Sequence, residues 1–170
     1  EFRTYLTILA VISLITVFYL HINATFDDFS RALLHGVFQV VSIGTTTGFT
    51  TSNYALWPGF LPVLLLFASF IGGSAGSTAG GMKVIRFLLL LKQGMREINR
   101  LVHPNAVITI KVGGKPLSEQ VINSVWGFFA TYVAIFSIIL LLLMLAGLDQ
   151  ITAFSAVAAT MNNLGPGLGD

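Results

Sequence analysis

The side chains of this 170-residue sequence do not supply a conventional active site. There is no Cys, and His21, His35 and His103 sit at unrelated places without the spacing of metal ligands. Asp27, Asp28 and Asp149 stand at expected helix starts, where capping accounts for them. A phosphate loop of the form G-x-x-x-x-G-K-S/T does not fit either, because Gly81 is followed by Met82 and Lys83 by Val84. Enzyme chemistry and a bound cofactor are therefore not expected. What remains is backbone: three polar, glycine-bearing stretches set among apolar residues. They are Thr45-Thr46-Thr47-Gly48-Phe49-Thr50-Thr51, the run Gly72 to Gly81, and Asn162-Asn163-Leu164-Gly165-Pro166-Gly167. Irregular backbone of this kind is not viable against lipid, so it must line a cavity or be buried in protein.

The elements that hold these stretches follow from composition and charge. Hydrophobic residues make up 55% of the chain and charged residues only 9%, against about 25% in soluble domains. That is too little polar surface for a soluble fold, and it also argues against disorder, a coiled coil or a disulfide scaffold. The charges are clustered, leaving charge-free gaps at Thr4–Phe26, Ala32–Met82, Gln120–Leu148 and Ile151–Gly169. Each is long enough for a membrane-spanning helix of roughly 20 residues. Lys83, Arg86, Lys92, Arg96, Arg100, Lys111 and Lys115 are seven of the nine basic residues, which places this stretch on the cytoplasmic side. Nucleic-acid binding is not expected of it, since it lacks interleaved aromatics and is flanked by apolar spans. The abrupt apolar start, without a cleavage-site pattern, does not read as a signal peptide.

Along the chain, Phe2 to Leu20 reads as an inside-to-outside helix, followed by a polar connector. Asp27 and Asp28 are expected to cap a helix from Phe29 to Ile43. Fifteen residues give about 22 Å, too short to span, so this helix and the polar turn after it read as re-entrant. Tyr54 and Trp57 read as interfacial anchors at the outer surface. From Gly59 to Leu91 a single helix would be about 50 Å long, and five glycines within Gly72 to Gly81 would cost it roughly 5 kcal/mol relative to alanine. The expectation is a half-helix (Gly59 to Ile71), a loop inside the membrane, and a second helix from about Met82 to Val102. The competing reading is a Gly-x-x-x-Gly packing face through Gly72, Gly76 and Gly80. His103-Pro104-Asn105 stops the second helix, and Ala106 to Val112 with the Gly113-Gly114 turn reads as a small hairpin. Ser118, with Glu119 in the first turn, should start a helix from Gln120 to Gly147, and Asp149 a short one from Gln150 to Met161.

The order of spanning helix, outer Asp, short helix and glycine-bearing turn thus occurs twice, with Gly48 and Gly165 in matching places 117 residues apart. The expected organisation is a helix–pore-loop–broken-helix repeat over 1–102, a cytoplasmic linker with a hairpin over 103–118, and the first half of a further repeat over 119–170, truncated before its exit helix.

At these three motifs the sequence resembles the Trk/Ktr/HKT superfamily of potassium transporters, most closely its bacterial TrkH-type subunits. The resemblance covers essentially the whole sequence, as a third repeat and half of a fourth. It implies an all-α polytopic membrane protein built from helix–pore-loop–helix repeats around one pore, like a potassium channel in a single chain. Matched to the channel motif T-V-G-Y-G, the two turns supply filter residues Thr46, Thr47, Gly48 and Phe49, and Asn163, Leu164, Gly165 and Pro166, whose carbonyls replace the ion's hydration shell. The short helices aim their partly negative C-termini at the pore, favouring a cation. The resemblance makes the break an intramembrane gating loop: Gly72, Gly73, Ser74, Gly76, Ser77, Thr78, Gly80 and Gly81. It implies potassium uptake across the bacterial inner membrane with filter loops outward and 83–118 inside. Potassium is the transported ion, and no resident metal or cofactor is implied. The implied partners are the bilayer, the remaining repeats, a second protomer in a homodimer, and a cytoplasmic nucleotide-binding regulatory subunit of the TrkA type. A sodium or mixed sodium/potassium transporter of the same superfamily is the alternative function, and a non-transporting scaffold of packed helices the alternative of another class.

Overall fold

The computed structural model describes residues 2–104, 106 and 108–168. Its order is α1 (Phe2–Ile22), α2 (Phe29–Gly44), a short 3-10 turn (Tyr54–Leu56), α3 (Leu61–Ile71), α4 (Val84–Val102), β1 (Lys111–Val112), β2 (Lys115–Pro116), α5 (Glu119–Leu145) and α6 (Gln150–Met161). Two of these helices, α1 and α5, are long and apolar enough to cross a membrane. At 1.5 Å per residue they measure about 31 and 40 Å, against an apolar core of about 30 Å. Beyond Val125, α5 buries no residue, so a long apolar surface faces outward.

The core lies where α1, α2, α3 and α6 meet, around Leu20, Val40, Ile43, Leu61, Leu65, Leu66 and Ala158. Small residues on α2 let α1 close in: a Cβ added at Gly36 would lie 3.0 Å from Val17 and one at Gly44 2.5 Å from Leu9. The Tyr5 hydroxyl donates to the Gly44 carbonyl at 3.1 Å, satisfying one of the free carbonyls at the end of α2. Pro62 in the first turn of α3 suits a helix start, since its missing N–H would be unpaired there anyway.

The break between α3 and α4 is present, over residues 72–83. The loop leaves and returns at nearly the same point: Met82 N–H donates to Phe70 O (2.9 Å) and Val84 N–H to Gly73 O (3.1 Å). A continuous helical packing face through Gly72, Gly76 and Gly80 is therefore not what these glycines form.

Three local expectations are corrected. Tyr54 and Trp57 are not interfacial anchors but core residues, 2% and 6% exposed, because the 3-10 turn folds them inward beneath Phe26 and the second glycine-bearing turn. Asp28 and Ser118 occupy N-cap positions without a side-chain cap bond, whereas Asp149 accepts from the N–H groups of Ile151 (3.0 Å) and Thr152 (3.1 Å). On α2, Gln39 is fully buried. The hairpin is only two pairs long, Lys111↔Pro116 and Val112↔Lys115. The parts of the helix stop and hairpin that fall on Asn105 and Val107, like Glu1, Gly169 and Asp170, lie outside the described residues.

The basic segment is tied to its own neighbourhood. Arg96, 3% exposed, makes a bidentate pair with Glu119 at 2.6 and 3.1 Å, joining α4 to the start of α5. Glu119 thus serves a contact between helices in addition to sitting in a helix first turn. Lys92 donates to the Lys111 carbonyl at 2.6 Å, and the Arg86 guanidinium lies 4.3 Å from the Phe128 ring centre.

Candidate functional site: two matched turns and the loop against them

The two short helices end in the same way, bond for bond. After α2, Thr45, Thr46 and Thr47 donate their N–H groups to Val41 (2.9 Å), Ile43 (3.0 Å) and Ser42 (2.8 Å). After α6, Asn162, Asn163 and Leu164 donate to Ala158 (3.1 Å), Thr160 (3.2 Å) and Ala159 (2.8 Å). This is the Schellman arrangement, which turns the chain sharply at a left-handed residue. That residue is Thr46 at φ 56° and Asn163 at φ 52°. Asparagine visits this region readily, whereas β-branched threonine is strained there by about 1–3 kcal/mol. Two residues on, Gly48 (φ 83°) and Gly165 (φ 95°) again share a left-handed backbone. Both turns therefore carry the same pair of positive-φ positions, two residues apart.

Each turn is held from behind by a serine of its own short helix. Ser42 Oγ donates to the Phe49 carbonyl at 2.6 Å, and Ser155 Oγ to the Leu168 carbonyl at 2.5 Å. The Tyr54 hydroxyl, reaching across from the first turn's exit, is within hydrogen-bond distance of the Pro166 carbonyl (3.1 Å) and the Gly167 carbonyl (3.2 Å). Replacing Tyr54 with Phe removes a donor to these carbonyls in a half-buried setting. It is expected to lower thermal stability by about 1 kcal/mol and to loosen ion discrimination severalfold, checked by a melting scan and paired potassium and sodium fluxes.

The turns touch each other and the loop. Gly48 packs so closely on Leu164 that a Cβ would overlap the Leu164 carbonyl oxygen. Leu164 itself is buried, while Phe49 is 70% exposed. From below, the Gly80 N–H donates to Thr46 Oγ1 at 2.8 Å, and the Gly80 Cα faces the Asn162 carbonyl so closely that a Cβ would overlap it. Gly80 therefore sits between the two turns, against both. The remaining loop residues divide in two. Gly72, Gly73 and Gly81 pack in the base, where chain crosses chain, and Ser74, Gly76, Ser77 and Thr78 form the outer excursion, with Ser77 N–H donating to Ser74 O at 3.1 Å.

Two residues that the sequence reading did not single out, Ser69 and Tyr132, complete the arrangement around Asn162. Asn162 Nδ2 donates to Ser69 Oγ (3.0 Å), Ser69 donates to Leu66 O (2.6 Å), and the Tyr132 hydroxyl donates to Asn162 Oδ1 (2.7 Å). One fully buried side chain thus joins α3, α5 and the second turn. The Asn162-Asn163 pair does carry a signal for a left-handed helix end. No signal in the sequence indicates which helices it bridges. At the entry to α6, hydrogen bonds from the Thr152 hydroxyl and then the Thr152 N–H hold the Asp149 carboxyl below its ordinary range, stabilising the helix that carries the second turn.

Spanning-length helices, each followed by a short helix and a matched left-handed turn, define a polytopic helical membrane protein of the pore-loop class. The chain belongs to the TrkH family: the family described as a cation transport protein matches residues 3–170. It is 57% identical over 174 residues to the Trk system potassium uptake protein TrkH of Vibrio parahaemolyticus, covering 100% of this chain and 35% of that protein. Identity to the protein of the same name in Escherichia coli K12 is 50% over 169 residues, covering 99% of this chain and 35% of that one. The crystal structure of the potassium transporter TrkH from Vibrio parahaemolyticus superposes with a TM-score of 0.94 at 55% identity, over 100% of this chain and 36% of that one. The chain thus spans about a third of the length of these relatives. They are named as transporters, not enzymes.

Proposed function

We propose that the protein containing this chain takes up potassium across the bacterial cytoplasmic membrane, through a four-repeat pore with a backbone-carbonyl filter. In this reading Thr46–Phe49 and Asn163–Pro166 are two of the filter segments and the 72–81 loop is the gate beneath them. One observation carries it: Gly80 lies against both matched turns at once, where a path between them would run. Neither turn carries Asp or Glu, so ion discrimination falls to carbonyl oxygens rather than a carboxylate ring. The names of the relatives favour potassium over the sodium or mixed alternative. The basic stretch 83–118 faces the cytoplasm and the filter loops face outward, following the excess of Lys and Arg. In this reading the basic α4 surface and the hairpin are what a nucleotide-binding regulatory ring of the TrkA type would meet on that inner side, and the protein works as a homodimer.

The test uses the full-length protein in cells stripped of their own potassium uptake and, purified, in liposomes. Growth at low external potassium, with rubidium tracer influx well above that of sodium, is the expected result. Equal influx of the two ions would move the assignment to a mixed transporter, and no influx of either would remove it.

A further inference from the structure

Lys83 belongs by sequence to the basic stretch that marks the inner side, yet the structure uses it differently from its neighbours. Arg96 and Arg100 pair with glutamates, Arg86 lies over a ring, and Lys92 reaches the hairpin. The Lys83 ammonium instead turns back into the loop. It donates to the Ser77 carbonyl at 2.8 Å, to Ser77 Oγ at 3.3 Å, and to the Ala79 carbonyl. An ammonium has three donors, and this cradle offers three acceptors. Among the described residues no ion pair includes Lys83. Its backbone stands at φ 73°, a left-handed conformation that a residue with a Cβ rarely adopts. The strain falls where α4 begins and sets the side chain back toward the segment that precedes it. Backbone strain held at a switch segment is the kind of outlier from which a functional role is inferred.

The position of the cradle gives the contact its consequence. Ala79 is the residue before Gly80, which rests on both turns. The Lys83 backbone is anchored at the loop base, where the Val84 N–H is bonded to Gly73 O, so a loop movement beyond the reach of the side chain must take Ser77 and Ala79 off the ammonium. We propose that Lys83 is a tethered cation that latches the loop shut, its ammonium held by loop oxygens as a free monovalent cation would be. This rests on the reading of 72–81 as the gate and adds what sets its resting position. A regulator acting on α4 would then open the pore by drawing Lys83 out of its cradle.

The test measures basal rubidium flux through the full-length protein in liposomes, for wild type, Lys83→Met, Lys83→Ala and a variant lacking 72–81. Lys83→Met is expected to raise basal flux severalfold toward the loop-deleted level while leaving the rubidium-to-sodium ratio unchanged, because no filter residue is touched. Millimolar n-propylammonium, which restores an untethered ammonium to the cradle, should lower the flux of Lys83→Ala and leave wild type and the loop-deleted protein unaffected. Where Lys83→Met does not reconstitute, Lys83→Arg serves. It keeps the charge but presents a planar fork in place of three tetrahedral donors, and its flux should also exceed wild type. High flux on loop deletion with wild-type flux in the lysine variants overturns the latch and leaves the gate standing. Wild-type flux in the loop-deleted protein overturns both.

Discussion

Replacing Gly48 with serine is expected to lower the ratio of potassium to sodium flux about tenfold or more. Two separate features of this position require glycine. Its backbone stands at φ 83°, where an L-residue costs about 1–2 kcal/mol, and a Cβ would overlap the carbonyl oxygen of Leu164 in the other turn. That oxygen belongs to backbone, so no side chain can swing aside to make room. Serine at position 48 must therefore displace both turns together. About 1.4 kcal/mol of lost discrimination between two ions is a factor of ten, so displaced carbonyls need lose only that much of their preference. Gly165 provides an internal comparison. It shares the left-handed backbone, at φ 95°, but an added Cβ there meets nothing within 4 Å. Gly165→Ser is expected to weaken selectivity less than Gly48→Ser. The check is rubidium and sodium tracer flux side by side on the full-length protein. An unchanged ratio in Gly48→Ser would remove the filter assignment.

The second large effect is expected at Gly80. An alanine there places a methyl group on the Asn162 carbonyl, a backbone group that no side-chain rotation can move aside. Either the loop withdraws or the base of the second turn yields. The second turn is fixed by its Schellman bonds and by the Tyr132–Asn162–Ser69 chain, whereas residues 75–78 at the loop's outer end are exposed. The loop should give way first. Gly80→Ala is therefore expected to raise basal flux on the order of tenfold with the ion ratio kept, and deletion of 72–81 sets the upper limit of that increase. A drop in selectivity without a rise in flux would mean the turn had moved instead, and wild-type behaviour in both variants would sink the gating role of the loop.

These expectations draw unequally on sequence and structure. The break at 72–81 was legible because its two signals are local: a charge-free run too long for one helix, and glycines too dense to continue one. The helix spans were legible for the same reason, and α6 occupies the residues its capping aspartate and apolar run foretold. Caps were less certain, because Asp149 bonds its helix while Asp28 and Ser118, of equally suitable type, do not. Residue type makes a cap possible, and the rotamer that the surroundings leave free decides it.

The turns show the boundary most clearly. Their glycines could be matched by position in the sequence. The shared Schellman geometry, with Thr46 strained and Asn163 at ease in one conformation, could not, since threonine gives no signal for a left-handed turn. Tyr54 carries the composition of an interfacial residue and is a buried brace, because its partners lie 112 and 113 residues away.

By itself the sequence determined the membrane class, the order and length of the helices, and the places where helix must stop. All are properties of a stretch of chain and the solvent it needs. Only the tertiary structure decided that Gly80 lies between two turns 117 residues apart, that Tyr54 braces the second of them, and that Lys83 turns from the basic stretch into its own loop. Periodicity and charge say which residues must leave water or meet it. They do not say which partner waits there, because that depends on closing loops whose entropic cost grows only slowly with length and so leaves many pairings open until the core packs.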